Sequence, residues 1–195
     1  MGSVPIGAAL ADEDGNVVAL GRSMQFERQG AHRQVVWSKL SHAELNALLQ
    51  VSAHDHPTIR SYTLYTTMEP CPLCTGALVM SNVRNVCYAA KDALAGALSL
   101  LDALEFNRSK GIHVTGPVPQ LDVIATALHT EFYLRYAAPG NRTDAILSAW
   151  ENDCPTGVQL GKHWFEEGIL AQYKARKTDI IGILNETLNR LAGSK

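Results

Sequence analysis

His42-Ala43-Glu44 and Pro70-Cys71-Pro72-Leu73-Cys74 are the two stretches of this 195-residue sequence that decide its fold and its chemistry. Together they supply one imidazole and two thiols, which are side chains that Zn²⁺ binds readily in proteins. Three protein ligands leave the fourth tetrahedral position open to water, as in catalytic rather than structural zinc sites. Because the other two cysteines, Cys87 and Cys154, are isolated in the sequence, we do not expect a fourth protein ligand.

The first stretch is predicted to begin a helix. Leu45, Leu48 and Leu49 recur at helical spacing, and Ser41 is a residue type that caps helix N-termini well. We therefore expect His42 and Glu44 in the first turn, with the two side chains free to point in different directions.

The second stretch is predicted to join a strand to a helix. Residues 61–67 have the composition of a strand, and Pro72 suits the first position of the helix that follows. Cys71 and Cys74 then share one helix start, where the helix dipole and free backbone N–H groups stabilise thiolates and lower their pKa. Two strand-to-helix junctions are thus predicted to meet at one metal ion.

The remaining periodicities predict an α/β protein. Asp14-Gly15-Asn16 has the chemistry of a hairpin turn between strands at 6–11 and 17–20. Further strands are predicted at 83–88 and 112–115, and further helices at 93–106 and 121–136. Strands separated by helices are parallel neighbours, whereas the hairpin is antiparallel. We expect a three-layer α/β/α core with a mixed sheet of about five strands, plus a C-terminal helical extension.

The domain prediction assigns residues 1–138 to the core and residues 139–195 to the extension. Pro139-Gly140-Asn141 interrupts the α/β pattern, and the sequence after it has helical apolar spacing. A separate unit of this length has little core of its own, so we expect it to pack on the core or on a partner subunit. The expected assembly is a homodimer.

Composition and charge narrow the class of protein. Hydrophobic residues make up 46% of the chain and charged residues 18%, which fits a compact globular enzyme. The net charge of −2 lacks the strongly basic character expected of a phosphate-binding surface. No apolar run is long enough to cross a membrane, and we identify no signal peptide. Thiolate ligands also favour a reducing compartment, so the predicted location is cytoplasmic.

Both stretches match the H-x-E and P-C-x-x-C signature of zinc nucleobase deaminases. The chain resembles the cytidine deaminase-like superfamily, and within it the tRNA adenosine deaminases, guanine deaminases and fungal-type cytosine deaminases. The likeness spans residues 4–136, through Val4–Ala8, His42–Glu44, Leu64–Ala77, Ala90–Asp92 and Gly96-Ala97. It implies zinc as the cofactor and Glu44 as the general acid and base, not as a metal ligand.

Two departures from this resemblance bear on the substrate and on the sheet. Relatives have a helix before the strand that begins at Val4, and this chain starts almost at that strand, so another element has to cover the sheet face. Relatives commonly place an Asn where this chain has Ser23. We expect Ser23 and the backbone near Ile6 and Ala43 to bind the substrate. Because Ser has no carboxamide, other groups are expected to make part of the hydrogen bonds to the polar edge of the substrate ring.

Three further side chains or clusters are weaker candidates. Phe26 and Trp37 lie in the long segment before His42, where each could stack on a substrate ring or anchor the segment in a core. His54-Asp55-His56 has metal-ligand residue types, but its place between a helix and Pro57 favours a polar loop.

Three functions remain open. The first is a hydrolase acting on the C–N bond of a cyclic amidine, which deaminates a small amino-substituted nucleobase, nucleoside or heterocycle. The second is a tRNA-specific adenosine deaminase that produces inosine, with nucleic acid as the partner. The third is a catalytically silent, zinc-stabilised binding protein, which the presence of Glu44 disfavours.

Overall fold

The computed structural model describes residues 3–137, 141–175 and 180–193. The chain divides into two compact units, Met1–Pro117 and Val118–Lys195. The predicted break at Pro139-Gly140 lies outside the described residues. The expected docking of residues 139–195 stays a prediction.

The first unit is built on a five-stranded sheet with the order β2-β1-β3-β4-β5. Its strands are β1 (Gly7–Ala11), β2 (Val17–Arg22), β3 (Thr63–Met68), β4 (Asn85–Ala90) and β5 (His113–Thr115). The β1 strand is antiparallel to both β2 and β3, whereas β3, β4 and β5 are parallel to one another. The predicted α/β class and mixed five-stranded sheet are confirmed.

The β1–β2 hairpin has the predicted turn. Gly15 has a φ of +84°, which a residue without a Cβ atom adopts at little cost. The Asp12 carboxylate accepts hydrogen bonds from the backbone N–H groups of Asp14 and Asn16, at 3.0 and 2.8 Å. This local bonding fixes the turn that the sequence predicts.

Four α-helices and one 3₁₀ helix complete the first unit. They are α1 (Ala43–Leu48), the 3₁₀ helix Ile59–Ser61, α2 (Pro72–Ser81), α3 (Leu100–Ala103) and α4 (Glu105–Arg108). The single helix predicted over 93–106 is wrong, because α3 begins only at Leu100 and Leu104 is extended. The Glu69 carboxylate accepts bonds from the N–H groups of Asp92 and Leu98, and these contacts hold the segment before α3 in a loop.

Helix α1 lies very close to β2 at Gly21. A Cβ atom built on Gly21 would lie 2.0 Å from the carbonyl oxygen of Ala43 and 2.5 Å from the backbone nitrogen of Ala47. Only glycine therefore allows this approach of the two backbones. The contact fixes the first turn of α1, and with it His42 and Glu44, against the sheet.

One face of the sheet forms the core of the first unit. Leu10, Leu64 and Val86 are at most 1% exposed, and they belong to one cluster with Leu78 and Val83. On the opposite face, Leu20 and Tyr65 both flank Ala9 in register. They are 63% and 48% exposed.

The described part of the second unit is helical. Its helices are α5 (Leu121–Tyr136), α6 (Asn141–Asp153), α7 (Pro155–Glu166), α8 (Ile169–Ala175) and α9 (Ile180–Gly193). The helix predicted over 121–136 and the helical character of the chain after it are confirmed. Helix α5 packs on α7, and Trp150 of α6 makes edge-on ring contacts with His129 and Tyr133 of α5.

Among the residues that the structure describes, no helix combines the length and the apolar composition needed to cross a bilayer. The cytoplasmic location and the homodimer stay predictions.

The contact between α5 and α7 yields a prediction for folding stability. A Cβ atom on Gly161 would lie 2.5 Å from the carbonyl oxygen of Ala127 and 2.5 Å from Cβ of Thr130, so Gly161→Ala forces the two helices apart. We expect a loss of about 1–3 kcal/mol in the free energy of unfolding, measured by denaturant titration of the helical circular dichroism signal.

Gly182→Ala is the matched control, because no atom lies within 4 Å of a Cβ at that helical position. It should raise the free energy of unfolding by about 0.5–1 kcal/mol. Equal effects of the two substitutions would contradict the close packing of α5 on α7.

Candidate active site

Each predicted metal ligand lies at the start of a helix. His42 is the N-cap residue of α1, with φ −86° and ψ 153°. Cys71 is the N-cap residue of α2, Pro72 opens that helix, and Cys74 lies in its first turn. The carbonyl groups of His42 and Cys71 accept the first hydrogen bonds of the two helices, from Asn46 and Thr75. The predicted junctions are thus formed.

The three ligand atoms are placed for tetrahedral zinc. The Nδ1 atom of His42 lies 3.4 Å from Sγ of Cys71 and 3.5 Å from Sγ of Cys74. Two tetrahedral ligands at about 2.1 Å (nitrogen) and about 2.3 Å (sulfur) from zinc lie about 3.6 Å apart. No other group of three possible metal ligands converges in this way within the described part of the chain. The site fits zinc.

Contacts among the three ligand side chains shift their pKa values. The pKa of Cys71 is lowered to about 4, first by the hydrogen bond with Cys74 and then by that with His42. The pKa of Cys74 is raised, first because its thiol is hydrogen-bonded to Cys71, and further because the thiol is buried and close to Glu44. The pKa of His42 is raised by its hydrogen bond with Cys71. These shifts favour a thiolate at Cys71 beside the His42 ring, and a bound metal ion would take the place of the shared proton.

Glu44 is buried beside the ligands. The residue is only 3% exposed, and the hydroxyl of Thr66 donates a hydrogen bond to its Oε1 at 3.0 Å. The other oxygen, Oε2, lies 3.3 Å from Sγ of Cys74. Burial raises the pKa of this carboxyl. The carboxylate is thus oriented by β3 on one side and faces the ligand cluster on the other.

Ser41 does not cap α1 as the sequence predicts. Its hydroxyl instead donates a 2.5 Å hydrogen bond to the carbonyl oxygen of Val35, in the segment that precedes the helix. The N-cap position falls on His42, whose side chain makes no capping bond. The prediction is wrong because the serine hydroxyl is bonded to the preceding segment and not to the helix.

The predicted substrate residue Ser23 is buried at 3% exposure. Its backbone N–H donates to the carbonyl oxygen of Ile6 at 3.0 Å. Its neighbours are tied to the α1 region, since Arg22 O accepts from Asn46 and Met24 N–H donates to Ser41 O. Among the described residues its hydroxyl has no hydrogen-bond partner.

Ala43, the other backbone candidate, is fully buried. Its carbonyl group is the one that approaches Gly21. The roles of Ser23, Ile6 and Ala43 in substrate binding stay predictions.

Phe26 and Trp37 are surface residues. They are 44% and 55% exposed, which contradicts the alternative in which each anchors the segment in a core. The guanidinium of Arg28 lies 4.0 Å from the centre of the Trp37 ring. Stacking of either ring on a substrate stays a prediction.

The His54-Asp55-His56 sequence forms a polar loop, as predicted. His54 and Asp55 are exposed and contact each other. Nδ1 of His56 lies 3.0 Å from the hydroxyl of Tyr62, and the two rings meet edge to face. These side chains belong to no metal-binding group among the described residues.

Sequence reasoning missed Thr66 and Asn46. Thr66 is on the buried face of β3, where its position in the alternation gives no sign that it contacts Glu44. Asn46 is completely buried on α1 and makes hydrogen bonds to the segment before the helix. A polar residue among the apolar positions of α1 was the available signal.

Part of the chain matches a family of zinc-binding deaminases. Residues 1–90 match the family model of the cytidine and deoxycytidylate deaminase zinc-binding region. Over 111 residues the chain is 32% identical to a tRNA-specific adenosine deaminase of Bacillus subtilis, which covers 54% of this chain and 63% of that protein. Over 85 residues it is 28% identical to a cytosine deaminase of Candida albicans, covering 44% and 51% of the two chains.

Other matches are to longer or more distant proteins. A tRNA(Ile)-lysidine synthase of Deinococcus radiodurans is 35% identical over 96 residues, which are 49% of this chain and 15% of that protein. A crystal structure of a mutant of the NE0047 protein in complex with 8-azaguanine is 25% identical, with a TM-score of 0.52, covering 68% and 74% of the two chains. The chain spans 15%, 53% and 63% of the length of three curated relatives.

The geometry predicts one zinc ion per chain, held by His42, Cys71 and Cys74. Protein purified without chelator should contain stoichiometric zinc by atomic emission. Replacing both Cys71 and Cys74 with Ser should abolish it, because a hydroxyl is a far poorer zinc ligand than a thiolate. Cys87→Ser, in β4, should retain the metal. Unchanged zinc affinity in the double variant would contradict the ligand assignment.

Proposed function

We propose that this chain is a zinc-dependent hydrolytic deaminase of a small amino-substituted heterocycle, because residues 1–90 match the deaminase zinc-binding family model and three metal ligands converge in the structure. The observation that carries the proposal is a carboxylate, that of Glu44, buried beside a three-ligand metal site and oriented toward it by Thr66. The reaction replaces the amino group of a ring amidine with an oxygen from water and releases ammonia.

His42, Cys71 and Cys74 would hold the metal in this scheme. A bound zinc ion would supply Lewis acidity and lower the pKa of a water molecule toward about 7. Three ligands with two thiolates leave room for one further group, so the protein itself does not close the site.

Glu44 moves the protons. Oε1 is held by Thr66, so Oε2, on the side of Cys74, is the oxygen available to accept a proton from the attacking water. Burial raises the pKa of this carboxyl, which suits a group that must first take up a proton and then release it. Glu44 delivers this first proton to the ring nitrogen. It then carries the second proton, from the hydroxyl group added to the ring carbon, to the amino group, so that the C–N bond breaks, the ring carbonyl forms and ammonia departs as a neutral molecule.

A small substrate is favoured by charge and by Ser23. The net charge of −2 gives little general attraction for a polyanion. The buried Ser23 hydroxyl offers one donor and acceptor to the edge of a ring, with further contacts from the backbone near Ile6 and Ala43. The similarity to the NE0047 complex with 8-azaguanine, a ligand the size of a free purine base, supports the same choice.

A tRNA-specific adenosine deaminase is the second candidate. The relatives with that name in Bacillus subtilis and Haemophilus influenzae support it. The exposed Phe26 and Trp37 could stack on unpaired bases, and Arg28 could add positive charge beside them. A silent binding protein is the third, and the buried Glu44 argues against it.

The role of Glu44 can be tested by Glu44→Gln. The amide has nearly the same shape but accepts no proton at the pH of the reaction, so deamination should fall by about 10²-fold or more while zinc and fold are retained. The measurements are ammonia release, zinc content and circular dichroism. Near-normal turnover by a fully metallated Glu44→Gln protein would remove Glu44 from the mechanism.

The substrate class can be tested by an ammonia-release panel of free bases, nucleosides, nucleotides, triazines and a tRNA anticodon stem-loop. We expect turnover of at least one small heterocycle, with the stem-loop a poorer substrate or none. Activity on the stem-loop alone would favour the tRNA-specific adenosine deaminase over the small-molecule deaminase. Silence across the panel from zinc-loaded protein would favour the binding protein.

A further inference from the structure

A buried amide connects the active-site helix to the segment in front of it. Asn46 is fully buried on α1, two residues after Glu44. Its Oδ1 accepts a 2.7 Å hydrogen bond from the backbone N–H of Val35, and its Nδ2 donates to the carbonyl oxygens of Val35 and Arg22, both at 3.1 Å. One side chain thus binds the end of β2 and the middle of residues 24–41, here called loop 24–41.

Loop 24–41 is closed by a second set of bonds around Ser41. The Ser41 hydroxyl donates to the Val35 carbonyl at 2.5 Å, and the Ser41 carbonyl accepts from Met24 N–H at 3.1 Å. The Met24 carbonyl in turn accepts a bond from Trp37 N–H at 3.2 Å. The two ends of the loop and its middle therefore meet at one buried polar cluster, formed by Asn46, Ser41 and Val35.

The outer part of loop 24–41 is exposed and conformationally restrained. Arg33 and Trp37 have φ values of +64° and +50°, which side chains other than glycine rarely adopt. Arg28 lies over the Trp37 ring. Backbone strain of this kind persists only where the surroundings over-determine the conformation. Within the described residues, the cluster at Asn46 is the set of buried polar contacts that provides this restraint.

We propose that Asn46 is a positioning residue that holds loop 24–41 against the helix carrying His42 and Glu44, and so sets how the loop meets the substrate. The Asn46 side chain bonds to Val35, Arg22 and Ser41, not to the ligand side chains or, in the proposed reaction, the reacting atoms. The part of this inference that concerns the substrate rests on the proposed deaminase function. The part that concerns the loop does not.

The chemistry of the contact makes the amide hard to replace. Val35 needs an acceptor for its N–H and donors for its C=O, and a carboxamide offers both groups in one plane. Truncation to Ala removes the bonds to Val35 and Arg22 at once and takes from the partly buried Val35 N–H the acceptor it has in Asn46. The loop then opens more often, while α1 keeps a residue with high helix propensity.

Trypsin can report this opening without any assay of activity. Arg28, Arg33 and Lys39 are exposed in the loop and are sites for the protease. In the zinc-loaded full-length protein, Asn46→Ala should raise the rate of cutting at these three sites by about tenfold or more, since cutting follows the population of the open form. Mass spectrometry identifies the sites. Unchanged rates at all three would overturn the proposal.

Gln50→Ala is the matched control. Gln50 also carries a carboxamide next to α1, but its side chain donates to the carbonyls of Leu20 and Asn46, which lie outside loop 24–41. Its loss should leave cutting in the loop within about twofold of wild type. Equal sensitivity in both variants would mean general loosening and would overturn the specific role of Asn46.

Ser41→Ala keeps the proposal testable if Asn46→Ala does not fold. It removes the bond to Val35 from the other side of the cluster and should raise loop cutting by a smaller factor, about threefold. No change in this variant, with Asn46→Ala unfolded, would overturn the proposal.

Kinetics with whichever substrate the panel identifies test the functional consequence. Asn46→Ala should raise KM about fivefold or more and change kcat less than about twofold, with zinc content unchanged. A fall in kcat at constant KM would overturn the positioning role. If the wild-type protein deaminates nothing, the proposed function fails on its own, and the trypsin comparison alone decides whether Asn46 holds the loop.

Discussion

The contact between the backbones of α1 and β2 at Gly21 is the constraint on which the site depends. It brings the first turn of α1 against the sheet at a distance that no side chain would permit. His42 immediately precedes that turn, and its ring nitrogen meets the sulfur atom of a cysteine 29 residues later in the chain. Zinc ligation needs donor atoms placed to within a few tenths of an ångström. A shift of α1 by the width of one methyl group would separate the imidazole from both thiols.

The same helix places Glu44 in surroundings that oppose its charge. The carboxylate leaves water for a site with one hydroxyl and one thiol as hydrogen-bond donors, and its pKa rises as a result. Such burial reduces folding stability, and it is retained at sites where a proton must be exchanged. One face of β3 contributes to the core and to the site. Leu64 and Met68 on that face are buried in the core, while Thr66 between them orients the carboxylate.

Much of this arrangement can be predicted from local sequence, because local chemistry determines it. The turn at Gly15, the helix opened by Pro72 and the helix over 121–136 depend on neighbouring residues. The grouping of His42, Cys71 and Cys74 is instead predicted from their side-chain types as zinc ligands. The predictions that are wrong fail because of hydrogen bonds outside the local helix or strand pattern. Ser41 is diverted by Val35, and the segment before Leu100 is held by Glu69. The role of Asn46 could not be predicted, because its side chain bonds to the backbone of Val35 and Arg22. Every residue type has such backbone groups, so the sequence carries no pattern that identifies the partners.

Gln50 and Gln34 both bond through their side chains to strand β2. Strand β2 is at the edge of the sheet, where an unpaired carbonyl invites a strand from another molecule. The Leu20 carbonyl accepts hydrogen bonds from the side chains of Gln50 and Gln34, at 2.6 and 3.4 Å. Edge strands with exposed apolar side chains such as Val17 and Leu20 are the usual starting points of amyloid-like stacking. The two amides occupy one of the carbonyl groups through which an added strand would pair.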